Sequence, residues 1–264
     1  MFSVLKAFGL SMHVGRNGNK AKTEAVFYPS AARIKNPDPI DTQDIEVDGG
    51  IVSFTKQFKY LGSLIADKLT DDAECDARIS AASKAFGVLK TQLFGVRHIC
   101  TRAKTHAYEA LVLSLLFYGS ECWILSAAMR DKILKFHRRC IRFMCCVTLD
   151  SMRSKNIHHT DLEKRLRISD VLSILESRRL QWLGHVYRMP ADRLPRRLLS
   201  SWVTNPRPKG RPHLTYGHGL VNDLKTHGLG DTWSALALDR VSWRAKVKAV
   251  RKCKPLRGRA ATAA

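Results

Sequence analysis

The sequence predicts an α+β fold that is mostly α-helical, with a small N-terminal β/α part containing a β-hairpin and a long helical remainder that ends in a basic C-terminal region. Three observations carry this reading. Ile45 and Val47 alternate with acidic neighbours before Asp48-Gly49-Gly50, whose glycines supply the positive φ of a tight turn, and Val52, Phe54, Phe58 and Tyr60 fall on one face of the return strand. From Asp72 onward apolar residues recur at three- and four-residue steps, the period of a helix with one face inward. Between Ala110 and Tyr118 the chain is apolar nearly all round, which predicts a buried helix at the centre of the helical part.

Charge narrows the function classes. The 264 residues hold 45 Lys plus Arg against 23 Asp plus Glu, a net charge of +22. Residues 1–50 hold six basic and six acidic side chains, residues 51–150 hold 15 and 9, and residues 151–264 hold 24 and 8, so the excess runs 0, +6 and +16 from front to back. A positive charge of that size repels itself unless a polyanion is near, so nucleic acid is the first partner to consider and an anionic membrane the second. The longest late apolar run, Ala110 to Gly119, is too short to span a bilayer, and Lys6 interrupts the N-terminal one, so neither a membrane partner nor secretion is expected. Seven cysteines at irregular spacing fit reduced thiols in an intracellular compartment, nucleus or cytoplasm.

In chain order, Phe2 to Gly9 reads as a helix end with Val4, Leu5 and Phe8 inward and Gly9 as its left-handed stop. Ser11 to Val14 and Ala25 to Tyr28 read as strands around a glycine-rich turn, and residues 29–44, with three prolines, as a loop. After the hairpin, Thr70 or Asp71 is the expected cap of the first long helix, with Glu74 reaching back and Ile79, Ala82, Phe86, Leu89 and Leu93 inward. A second helix is expected from a cap at Thr101 to Gly119. A third, about Ala127 to Cys146, carries Met129, Ile133, Phe136, Cys140 and Phe143 on one stripe and Lys132, Lys135, Arg139 and Arg142 on the next, so it can lie on a core and still present a row of cations.

Thr160-Asp161-Leu162-Glu163 reads as a capping box, and Ser169 as the cap of a longer helix with Leu172, Leu175, Arg179, Trp182 and Val186 in register. Asn205 to Pro212 is a proline-stiffened segment in which Arg207, Lys209 and Arg211 could follow a phosphate backbone. A short helix, Leu220 to Thr226, and a last one marked by Leu236, Arg240, Trp243, Val247 and Val250 precede a basic tail from Arg251 to Arg259, read as disordered.

Several phrases resemble one family, and they occur in that family's order. Phe58-Lys59-Tyr60-Leu61-Gly62-Ser63-Leu64-Ile65 resembles the hairpin that joins palm to thumb and grips the primer end in reverse transcriptases of non-LTR (LINE-type) retrotransposons. Phe8-Gly9-Leu10 followed by Lys22-Thr23-Glu24 is similar to the segment after the catalytic strand. Leu115-Leu116-Phe117-Tyr118-Gly119-Ser120-Glu121-Cys122-Trp123 resembles a post-palm signature. Arg178-Arg179-Leu180-Gln181-Trp182-Leu183-Gly184-His185-Val186-Tyr187-Arg188-Met189, the strongest match, looks like a string found beyond the thumb, nearest the RTE-like group. The pattern Trp233, Ala237, Asp239-Arg240, Trp243-Arg244 resembles the family's closing motif. The likeness covers Phe8 to Arg244.

The resemblance implies a palm remnant with a primer-grip-like hairpin (1–66), a helical thumb (67–150), a post-thumb helical region (151–204), a basic linker (205–218), C-terminal helices (219–250) and a tail (251–264). It further implies contact with a template–primer hybrid, or with DNA, through Phe58, Lys59, Tyr60, Leu61 and Gly62 at the grip. Lys132, Lys135, Arg139, Arg142, Arg178, Arg179, Arg188, Arg207, Lys209 and Arg211 are the expected phosphate contacts. Lys22 takes the place of a lysine proposed to protonate departing pyrophosphate.

The family's metal-binding aspartates lie upstream of this sequence. Nucleotide transfer needs carboxylates that hold two metal ions about 3.5–4 Å apart, and Asp71-Asp72, the only adjacent acidic pair, sits at a helix start. The expectation is therefore a truncated reverse transcriptase that binds nucleic acid without extending a primer by itself. No metal site is expected in this chain, Mg²⁺ belongs to the full-length enzyme, and the missing N-terminal portion is a candidate partner. Cys140, Cys145, Cys146, His158 and His159 lack the paired spacing of a zinc site. The competing readings are a degenerate remnant without activity and a helical nuclear nucleic-acid-binding module.

Overall fold

A computed structural model describes residues 2–9, 11–15, 22–28, 43–47, 49–67, 70–200 and 215–251. The fold is α+β and mostly helical, and the chain divides into two compact units, Met1–Ala77 and Arg78–Ala264. Helix α1 (Phe2–Ala7) opens the first unit and Gly9 follows it at φ 70°. Val4 and Phe8, expected inward, are exposed at 56% and 78%. A helix of six residues has too few turns to bury a stripe by itself.

The hairpin forms where alternation and turn chemistry place it: β1 (Ile45–Val47) pairs antiparallel with β2 (Gly50–Val52) around Gly49 at φ 67°. The return strand, however, ends at Val52. β3 (Gln57–Tyr60) pairs instead with β4 (Ser63–Ala66) as a second hairpin, with Phe58 opposite Ile65. The turn is Leu61-Gly62, both at positive φ (47° and 87°), a pairing that matches the right-handed twist of the flanking strands. Ser11–Val14 and Ala25–Tyr28, expected as strands, do not form them: a single bridge joins Gly15, just past the first segment, to Ile51, and another joins Ala25 to Phe54. Among the described residues the result is two two-stranded sheets.

Helix α2 (Asp72–Leu89) starts in the first unit, where Glu74 is buried and its Oε2 accepts the Leu64 amide of the second hairpin at 2.6 Å. In the second unit α2 runs into a π-helical turn, Lys90–Phe94, which rotates the stripe so that Phe94 rather than Leu93 is buried. There Phe94 stacks on Phe86 at 4.5 Å, and Tyr108 and Phe143 meet Phe86 edge-on at 6.2 and 5.9 Å.

Cys100, not Thr101, caps α3 (Thr101–Ala107), which continues through a π-helical stretch, Tyr108–Leu113, into α4 (Ser114–Leu116). The apolar run is only half inside. Val112, Leu113, Leu116 and Phe117 are buried, whereas Leu111, Leu115 and Tyr118 are 49%, 40% and 49% exposed. Hydrophobicity all round predicts burial only if neighbours exist on every side, and here they cover one.

Ser126 caps α5 (Ala127–Met144), its side chain accepting the Met129 amide at 3.1 Å. The short α6 (Leu149–Ser154) leads to α7 (His159–Leu166), capped by His158, whose amide donates to Asp161 Oδ2 at 2.9 Å. The expected box of Thr160 and Glu163 does not form because Glu163 is turned into the core. Asp170 rather than Ser169 caps α8 (Val171–Tyr187), accepting from Ser173 N at 3.2 Å. After α9 (Leu194–Ser200) come α10 (Tyr216–Thr226), α11 (Trp233–Leu238) and α12 (Arg240–Val250). The expected last helix is thus two, because the Asp239 carboxylate accepts the Val241 amide at 2.9 Å and starts a new one. Leu180, Leu183, Leu220, Leu224, Ala237, Trp243 and Val247 form one apolar core under these helices. The expected linker contacts and the tail beyond Arg251 lie outside the described residues.

Candidate nucleic-acid interface

Helix α5 owes its orientation to its buried face. Met129, Ile133, Phe136, His137, Cys140, Ile141 and Met144 all point inward, which turns Lys132, Lys135, Arg138 and Arg139 to the surface and leaves Arg142 half-buried beside them. The cations at 132, 135, 139 and 142 follow the three- and four-residue steps of one helical stripe, so they form a row.

Two of them are held in place. Arg139 donates to Ser83 Oγ at 3.2 Å and lies 5.8 Å from the Phe136 ring. Arg142 Nη1 meets His159 Nε2 at 3.2 Å. Burial and the adjacent Arg138 and Arg142 hold the His159 pKa below the usual imidazole value, so a neutral ring accepts that bond. Lys135 pairs with Asp131 at 2.7 Å, but both are more than half exposed, and such a pair yields readily to a stronger anion. A hollow of about 270 Å³ lined by Ser83, Phe86, Gly87, Lys90, Arg139 and Phe143 continues the row, with Lys90 Nζ 4.9 Å above the Phe143 ring. Lys90 and Arg138 were not singled out by sequence, since neither sits on the stripe that periodicity marks.

Behind the row lies a buried polar cluster that the sequence did not reveal. Tyr108 Oη and His137 Nδ1 are 3.0 Å apart, and His137 Nε2 is 3.8 Å from Glu163 Oε1. Burial holds the His137 pKa down to about 3, pushes Glu163 up to about 7 and pushes the Cys140 thiol up to about 12. The set looks like acid–base machinery, but His137 and Tyr108 have no exposed surface, so no external substrate reaches them. His137 and Cys140 are held in their neutral forms, and Glu163 is the one member of the cluster that titrates near neutral pH.

The basic string on α8 divides by direction. Arg179 is 1% exposed and its Nη2 pairs with Asp223 Oδ2 at 2.5 Å, which removes it from the expected phosphate contacts: its charge ties α8 to α10. Arg178 is half-buried and donates to the Phe117 carbonyl at 3.2 Å. Arg188, also half-buried, donates to the Ala237 carbonyl at 2.6 Å. Gly184 lies against the Trp243 indole, where an added Cβ would come within 2.1 Å of Nε1. Trp182 and His185 face outward, their rings 5.5 Å apart.

In the first unit the second hairpin projects its turn. Lys59, Tyr60, Leu61 and Gly62 are exposed, Phe58 is half-buried, and the Phe58 and Tyr60 rings are 6.4 Å apart. Leu61 combines 77% exposure with a left-handed backbone that a leucine adopts at a cost of about 1–2 kcal/mol. Lys22 is exposed, and its amide donates to His13 Nδ1 at 3.1 Å. Arg207, Lys209 and Arg211 lie outside the described residues. Among the described residues no three His, Cys, Asp or Glu side chains come together as metal ligands, and no helix is long and apolar enough to cross a membrane.

The chain is similar to an uncharacterized transposon-derived protein of Caenorhabditis elegans, with 26% identity over 246 residues, 91% of this chain and 83% of the relative. No family model matches the sequence, and no solved structure matches it.

Proposed function

We propose that the chain derives from a transposon and is the nucleic-acid-holding part of a LINE-type reverse transcriptase. It grips a template–primer hybrid through backbone phosphates and does not extend the primer by itself. The observation that carries this reading is the cation row on α5, fixed outward by a buried opposite face and partly tethered. Likeness to a transposon-derived protein along nearly the whole chain supports the origin, and the order of the family-like phrases supports the reverse-transcriptase assignment.

A hybrid helix is uniformly charged along its backbone, so contacts by Lys132, Lys135, Arg139 and Arg142 release counterions and bind without reading sequence. The exposed Tyr60-Leu61-Gly62 turn presents apolar and backbone groups suited to a strand end. The described residues do not fit a two-magnesium centre, since no carboxylate cluster is present among them, and no chemical step is assigned to this chain. The carboxylates would come from an N-terminal portion of the polymerase, which is the proposed protein partner, inside the cell.

The test is a filter-binding comparison of an RNA–DNA hybrid, duplex DNA and single strands of one sequence, run beside primer extension with Mg²⁺. Tighter binding of the hybrid than of duplex DNA at equal salt, with no extension, is expected. Equal affinity for both duplexes would favour a general nucleic-acid-binding module, and extension by the purified chain would overturn the proposal.

A further inference from the structure

A second basic feature is built without any residue of α5. Between α8 and α12 opens a cleft of about 600 Å³, and a hollow of about 340 Å³ shares Gln181, His185 and Arg251 with it. Among the described residues, the walls of the two together carry Arg178, Arg188, Arg240, Arg244, Lys248 and Arg251 against one acid, Glu121. Such crowding of like charge is unfavourable in the empty protein and is relieved by an anion.

The cations are ordered. Arg188 is fixed by the Ala237 carbonyl, and Arg251 Nε donates to Ser177 Oγ at 2.9 Å. Arg240, Arg244 and Lys248 are exposed at four-residue intervals along α12, about 6 Å apart per step. That interval is comparable to the spacing of successive phosphates on an extended strand. The floor is closed, since Trp243 Nε1 donates to the Leu180 carbonyl at 3.1 Å and Gly184 lies against the same ring. A concave, closed-floored cleft does not match a flat bilayer. At one end, half-buried Trp182 and exposed His185 offer ring faces for a base.

We propose that this cleft binds a single-stranded nucleic-acid segment, with phosphates along Arg240, Arg244 and Lys248 and a base stacked on Trp182. Backbone cations joined to an aromatic platform are the general means of holding a single strand without reading its sequence. The site uses none of the α5 row, so it stands whether or not that row holds a hybrid.

The probe is a fluorescein-labelled twelve-residue oligothymidylate titrated into the full chain. Replacing Arg240, Arg244 and Lys248 together by Gln should weaken its binding at least tenfold and flatten the log–log salt slope by about 2, at about 0.7 per phosphate contact. Hybrid binding should change less than twofold, whereas replacing Lys132, Lys135, Arg139 and Arg142 together by Gln should do the reverse. Trp182→Met should weaken the oligonucleotide about fivefold or more with the slope unchanged. An unchanged affinity in the triple variant, or an inorganic polyphosphate of equal charge binding as tightly as the oligonucleotide, would overturn the proposal. Because Trp182 is half-buried, photocrosslinking of a 4-thiothymidine oligonucleotide to the unaltered chain is the second readout. Crosslinks within residues 171–188 support the cleft, and crosslinks confined to residues 127–144 overturn it.

Discussion

Gly184→Ala tests how α8 and α12 are joined. In an exposed helix interior, alanine for glycine stabilises by about 1 kcal/mol. At Gly184, which is buried, a new Cβ would lie 2.1, 2.5 and 2.7 Å from Nε1, Cδ1 and Cε2 of Trp243. The indole is rigid, 2% exposed, and anchored by its bond to the Leu180 carbonyl, so relief requires moving α12 or breaking that bond. Overpacking of this kind costs about 1–3 kcal/mol, and a lost hydrogen bond about 1 kcal/mol more. Set against the helix-propensity gain, the net loss is about 1–3 kcal/mol. Gly87→Ala is the control, because it lies on α2 with nothing within 4 Å of the new Cβ and should stabilise by up to about 1 kcal/mol. Urea unfolding followed by circular dichroism should give a lower midpoint for Gly184→Ala and a higher one for Gly87→Ala, with unchanged slopes. A midpoint for Gly184→Ala at or above that of the parent protein would refute the packing of Trp243 on Gly184.

Asp223→Asn leaves the buried Arg179 guanidinium without its anion and should cost about 3–5 kcal/mol in the same unfolding measurement; a loss below 1 kcal/mol would mean that water reaches the pair. Glu163, pushed up to about 7 from an ordinary 4.5 by burial and by Asp170, holds its proton in the folded chain where the unfolded chain has released it, so its contribution to stability falls as pH rises through that window. Glu163→Gln should therefore match the parent at pH 5 and exceed it by on the order of 2 kcal/mol at pH 8, and a parent more stable than the variant at pH 8 would show that a charged His137 pairs with the carboxylate. Leu61→Gly should relieve about 1 kcal/mol of backbone strain while weakening hybrid binding; stronger or equal binding would remove the second hairpin from the interface.

What was legible in the sequence was what local chemistry decides. The chain turns at Gly49 where the glycine pair predicts it, and the stripe of α5 is spaced so regularly that its buried and basic faces both follow from it. Caps were less legible because the competing acceptor is distant in sequence. Glu163 reads as half of a capping box in sequence, whereas in the fold its carboxyl faces His137. The π-helical turns at Lys90 and Tyr108 shift register without any local signal. Arg179 shows the limit most plainly. An arginine beside Arg178 in a basic string reads as surface charge, and only the arrival of Asp223 from α10, 44 positions later, makes it a core residue. The cleft between α8 and α12 was out of reach for the same reason, since residues 188–239 separate the two helices in sequence.

The most direct measurement is the salt dependence of hybrid binding by the full chain and by a variant with Lys132, Lys135, Arg139 and Arg142 all changed to Gln. At about 0.9 counterions per phosphate contact, the variant should bind more weakly and lose about 3–4 from its log–log slope, with its melting temperature unchanged. A slope identical to that of the parent would contradict the assignment of the α5 face to nucleic acid.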